Sequence, residues 1–118
     1  MPAGEPVAIA YTEWALVELD GEPVAIGSDE LAPGLALDLE ESRVSGSGGV
    51  NRFTGTFSMS ENELRFGPLA STRMAGPEDA MRLEDAFFAA LARVTSHQLE
   101  GRALTLLADG EPVVRLEC

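Results

Sequence analysis

Four polar residues in the middle of the chain carry types and spacing that could do chemistry: Asn51, Thr72, Arg73 and Glu84. An amide, a hydroxyl, a guanidinium and a carboxylate can saturate one another's hydrogen bonds in a buried network, or they can hold a ligand. Glu84 is the informative member. At about 100° per residue, Ala80, Met81, Phe87, Phe88, Leu91 and Val94 form one apolar arc of a helix. Glu84 falls inside that arc, between Met81, Phe88 and Leu91, while Glu78, Arg82, Asp85, Ala89 and Arg93 lie opposite. A carboxylate on an apolar face is costly unless it is paired. Arg73 is the expected partner, because a guanidinium pairs in two-pronged fashion and stays charged. Asn51 and Thr72 then fill the remaining bonds. The structural reading is a network that fixes strands to the helix; the alternative is a ligand site or a partner-docking surface.

Other candidate chemistry is thinner. A hydrolase built on Glu84 and His97 lacks a Cys or Ser nucleophile placed with the histidine, and the helix end separates the two. The run Ser45-Gly46-Ser47-Gly48-Gly49 lacks the Lys and the following helix of a phosphate-binding loop. Asp29-Glu30 and Glu40-Glu41 lack the ligand series of a calcium loop. The one cysteine, Cys118, can neither staple the fold nor complete a zinc site. No catalytic, cofactor or metal residues are therefore assigned.

Composition narrows the partners. The 118 residues carry a formal net charge of −12, and all 8 basic residues are Arg. Such a surface repels phosphate, which argues against nucleic acid and anionic membrane. No apolar run approaches the roughly 18 residues of a membrane span. The opening MPAGEPVAIAYTEW lacks a basic start and a long apolar core, so it does not read as a signal peptide. The expected location is cytoplasmic unless a leader was trimmed.

The elements that must position the four residues follow from period and turns. One domain over residues 11–118 is expected, preceded by a loose segment over 1–10. Residues 11–19 read as a strand, Asp20-Gly21 as a hairpin turn and Val24–Ile26 as its return. Leu35, Leu37 and Leu39 alternate with polar positions, and residues 43–45 begin another strand. Phe53, Gly55 and Phe57 mark a central strand; Leu64 and Phe66 mark the next. Gly76 as N-cap and Pro77 as first residue open the helix, with Glu78 and Asp79 at the positive end of its dipole. Strands over 94–99, 104–107 and 113–116 complete the chain. The tripled Gly-Glu-Pro-Val at Gly4, Gly21 and Gly110 reads as shared turn chemistry. The expected fold class is α+β, a strand-rich curled sheet or incomplete β-barrel with one α-helix packed against it.

The central stretch resembles the META domain, the family of HslJ-like heat-shock proteins. The likeness rests on Gly49-Val50-Asn51-Arg52-Phe53-Thr54-Gly55, on Leu64 to Leu69, and on Ser71-Thr72-Arg73-Met74-Ala75-Gly76-Pro77. Met81, Glu84, Phe87 and Leu91 match the helix; Leu99-Glu100-Gly101 and Leu104 to Leu107 match the strands after it. Trp14 and Leu16 resemble the opening strand. The resemblance implies a bacterial protein of the stress response or the cell envelope with no established activity. Many members carry Cys where this chain has Val50 and Gly76, so no redox role is implied at those positions. The expected function is a non-enzymatic binding or interaction module whose partner is a protein. The alternative is a barrel that holds a lipid or another small apolar ligand.

Overall fold

The computed structural model describes residue 9, residues 12–24 and residues 33–118. Asp29-Glu30, the first Gly-Glu-Pro-Val copy and Ile26 lie outside the described residues. Among the described residues, ten strands and one helix follow in chain order: β1 Trp14–Leu19, β2 Glu22–Pro23, β3 Gly34–Asp38, β4 Arg43–Ser47, β5 Arg52–Ser60, β6 Glu63–Phe66, β7 Ala70–Ser71, α1 Glu78–Arg93, β8 Ser96–Glu100, β9 Ala103–Ala108 and β10 Glu111–Glu117.

Eight of the strands form a closed antiparallel ring, in the order β10-β9-β8-β6-β5-β4-β3-β1, with β1 returning to β10. The extra strands β2 and β7 pair with β1 and β5. This corrects the expected α+β fold with an incomplete barrel: the barrel is closed and the chain is mostly β. The closing contact is Ala15↔Glu117, Leu16↔Leu116, Glu18↔Arg115 and Leu19↔Val114. It joins the two ends of the sequence, and no local periodicity encodes such a pairing. A bulge between Leu16 and Glu18 bends β1 where the ring closes.

Alternation along each strand turns one set of side chains inward. Trp14, Leu16, Leu35, Leu37, Val44, Phe53, Phe57, Leu64, Leu104, Leu106, Val114 and Leu116 pack together inside the barrel. The helix packs against β1, β6 and β10. It adds Phe87, Ala90 and Leu91 to this core, and Phe87 and Phe88 meet Phe53 edge-on at 6.1 and 5.1 Å between centroids. That end of the barrel holds the β4–β5 turn, the end of β1 and the start of β10, and the helix lies across it. The helix cap is Pro77, one residue later than expected, with helical structure from Glu78.

Two hairpin turns explain the repeated motif. Asp20-Gly21 and Asp109-Gly110 both take positive φ at both residues, 51° and 85° in one, 51° and 86° in the other. These are the angles of the tight turn that matches strand twist. The Glu-Pro that follows starts β2 in one case and β10 in the other. Leu39, expected to continue the β3 alternation, sits instead in the β3–β4 turn and is 49% exposed.

Candidate functional site

β4 and β5 are joined by Gly48, Gly49, Val50 and Asn51, and α1 crosses directly above that turn. A Cβ at Gly48 would collide with the Glu84 side chain, so only glycine lets the helix come this close. Glu84 is 2% exposed and so is Asn51. One Glu84 oxygen accepts the backbone N–H of Val50 at 3.1 Å and that of Asn51. The other accepts the Asn51 side-chain amide at 2.7 Å. No cation among the described residues takes part. Three N–H dipoles replace the water that the carboxylate lost on burial.

Asn51 passes the constraint on. Its Nδ2 also donates to the Met74 carbonyl at 3.0 Å, and its Oδ1 accepts the Met74 N–H at 2.7 Å. The side chain thus stands in for the backbone of a neighbouring strand. The same Oδ1 accepts the Thr72 hydroxyl at 2.9 Å, and the Thr72 Oγ1 accepts the Arg52 N–H at 3.3 Å. The Thr72 N–H donates to the Arg52 carbonyl at 3.1 Å. Residues 70, 72 and 74 are therefore held in turn by Thr54, by Arg52 and by the Asn51 side chain, one extended segment beside β5.

Of the four residues picked from the sequence, the structure brings together Asn51, Thr72 and Glu84. Arg73 is placed elsewhere. It is exposed and makes no ion pair with Glu84 or, among the described residues, with any other carboxylate. The physical reason is the alternation just described: Thr72 and Met74 turn their backbones toward β5 and Asn51, and Arg73 lies between them. The residue that sequence reasoning missed is Met74. It is a large apolar side chain that is 58% exposed, on a backbone fixed at both polar atoms. The signal available was its place beside Thr72 and Arg73.

His97 is remote from this site. It lies beside Asn62 at the β5–β6 turn, and Glu84 meets the turn at the other end of β5. Its Nδ1 is buried with no hydrogen-bond partner among the described residues. Burial pushes the imidazole below its usual pKa of 6.5 and outweighs an opposing interaction with the Asn62 backbone. No group of three or more His, Cys, Asp or Glu that could hold a metal ion occurs among the described residues. No helix there is long and apolar enough to cross a membrane.

Open clefts lie on the barrel surface formed by the described residues. One of about 630 Å3 is lined, among the described residues, by Trp14, Gly34, Leu35, Ser45, Arg52 and Phe53 with their neighbours. Another of about 450 Å3 runs along Asn62 and His97 to Glu100.

The family model described as META domain matches residues 7–118. A solution NMR structure of a protein from Burkholderia xenovorans is similar over 99% of this chain and 92% of its own, with 25% identity and a TM-score of 0.71. A second solution NMR structure is similar over 92% of this chain and 90% of its own, at 26% identity and a TM-score of 0.70. The crystal structure of a DUF4847 family protein from Bacteroides vulgatus shares the fold, with 15% identity, a TM-score of 0.63 and coverage of 92% and 93%. No curated protein matches the chain.

Proposed function

This chain belongs to the META domain family, and on that premise we propose that it is a non-enzymatic module that docks a protein partner on its Thr72–Arg73–Met74 surface. The observation that carries the reading is the clamp of Asn51 on Met74. A buried side chain spends both its polar atoms on holding the backbone beneath an exposed methionine. A backbone that is already held loses little entropy when a partner covers it, and the methionine side chain adapts to irregular surfaces. Arg73 and Arg52 flank it without ion-pair partners among the described residues.

The same network speaks against catalysis by Glu84, since both its oxygens are taken up by N–H donors and His97 lies at the far end of β5. The resemblance to HslJ-like proteins supports a bacterial stress or envelope setting. The test is a photo-crosslinking residue at position 74, compared in cells with one at Arg82, which is exposed on the helix. A discrete adduct formed from position 74 and absent from position 82 is expected. The same products from both positions, or none from position 74, would contradict the reading.

A second reading has its own observation. The cleft of about 630 Å3 is within the range of small-molecule sites, so a small apolar ligand is the alternative occupant of the protein. Trp14, the single tryptophan, lines it and reports on it. Saturable change of Trp14 emission on titration with a medium-chain fatty acid supports this reading, and flat emission removes it.

A further inference from the structure

The segment that carries Met74 is also a free strand edge. β6 and β7 run along β5 as two halves of one strand. Phe57↔Phe66 sits in one register, and Phe53↔Ser71 and Thr54↔Ala70 in the next, one residue on. On the side of this composite strand away from β5, β8 joins it at the pair Glu63↔Ser96, flanked by Leu64 N–H to Thr95 C=O at 3.1 Å and His97 N–H to Asn62 C=O at 2.8 Å. Pairing cannot continue toward β7, because the residues before Thr95 belong to the end of α1. The helix packs against β6 at this seam, and among the described residues β7 is left with β5 as its one partner strand.

Backbone groups alternate along an extended chain. Thr72 and Met74 turn their N–H groups toward Arg52 and Asn51. The N–H and C=O groups of Ser71 and Arg73 therefore point the other way, and they have no backbone partner among the described residues. A row of donors and acceptors two residues apart is the template on which an extended peptide adds as a strand. We infer that the partner docks here by strand addition, as an extended segment with an acidic residue opposite Arg73 and an apolar residue against Met74. The inference rests on the docking reading above and specifies its mode and the chemistry of the partner.

The acidic choice comes from local charge. Arg73 is exposed and unpaired among the described residues, and an added strand about 4.8 Å away places its side chains within reach of it. The whole-chain charge of −12 makes the opposite demand and favours a basic peptide. At about 0.15 M salt the screening length is about 8 Å, so a guanidinium that faces the added strand counts for more than carboxylates beyond that length. Binding preference between acidic and basic strands therefore separates a specific edge from non-specific attraction.

The experiment is a titration of the nitrogen-15-labelled full chain with three kinds of decapeptide at that salt. One alternates valine and glutamate. The second alternates valine and lysine. The third is the acidic peptide N-methylated at every second residue, made in both phases. With the acidic peptide, the largest amide shifts are expected at Ser71 and Arg73, together with at least about tenfold slower hydrogen exchange there. At least about tenfold weaker binding is expected for the lysine peptide and for the N-methylated peptide whose methyl groups meet the edge. Ser71→Pro removes an outward N–H at a position where an edge tolerates proline, and it should weaken binding about tenfold while Ser71→Ala does not. Equal binding of both N-methylated peptides, or shifts centred away from residues 70–74, overturns strand addition. If the acidic peptide fails while crosslinking at position 74 still yields its adduct, strand addition falls and the docking reading stands. Failure of both removes both.

Discussion

Replacing Glu84 with alanine tests the network at its base. The carboxylate satisfies Val50 N–H, Asn51 N–H and Asn51 Nδ2, and it is 2% exposed. Each buried donor left without a partner costs about 1–3 kcal/mol. Val50 is half-buried and can regain water, so about 3 kcal/mol is expected in total, the low end of that sum. For a domain of this size that is a fall in Tm of about 12 °C. Glu84→Gln is more instructive. Its oxygen can serve the two backbone N–H groups, but its amide then faces Asn51 Nδ2, donor against donor. Asn51 cannot turn over, because its Oδ1 accepts from Thr72 and Met74 and its Nδ2 donates to the Met74 carbonyl. Glu84→Gln should therefore cost about 2 kcal/mol, more than a shape-conserving change at a site with room to adjust. Arg73→Met should lie within about 0.5 kcal/mol of the parent. Combined with Glu84→Ala it should add nothing and rescue nothing, since the two share no contact. Urea denaturation at pH 7 measures all four. If Glu84→Ala stays within about 0.5 kcal/mol of the parent, the three N–H bonds do not stabilise the fold as reasoned. If Arg73→Met recovers part of the loss, Arg73 and Glu84 interact after all.

Three further outcomes follow from particular side chains. Asn51→Asp sets a carboxylate against the Glu84 oxygen that now lies 2.7 Å from Asn51 Nδ2, and it loses the bond to the Met74 carbonyl. It should destabilise by several kcal/mol at pH 7 and recover partly on acidification as one proton comes to be shared; thermal melts from pH 7 to pH 4 check this, and a flat profile refutes it. His97 has its folded-state pKa held below the ordinary 6.5 by burial. Its neutral form therefore contributes stability that is fully present above pH 6.5 and is lost as pH falls through the folded value, so denaturant curves of His97→Gln should show a shallower pH dependence than the parent in that window. Melts with a chelator and with a reductant should match the untreated protein; a shift above about 5 °C, roughly 1 kcal/mol, would point to a metal or a disulfide.

Much of this was legible in the residues and part of it was not. The helix, its buried face and the anomaly of Glu84 follow from a 3.6-residue period, because a helix is written in local sequence. The Asp-Gly turns follow from backbone sterics. Barrel closure was not legible, since Leu16 and Leu116 carry no sign of each other. The partner of Glu84 was misjudged for a related reason. A carboxylate can be satisfied by backbone N–H groups, which every residue but proline supplies, so side-chain chemistry drew attention to Arg73 when the donors were Val50 and Asn51. The asparagine that imitates a strand is equally silent, because its role depends on where the chain returns after β7.

Amide hydrogen exchange across residues 70–76 tests the central claim most directly, that a buried asparagine and glutamate hold the docking segment in place. In the parent, the N–H groups of Thr72 and Met74 should be protected and those of Ser71 and Arg73 should exchange freely. Glu84→Ala should remove the protection at Met74 while the core amides of β9 and β10 keep theirs. Free exchange at Met74 in the parent, or protection there that survives the loss of Glu84, would contradict it.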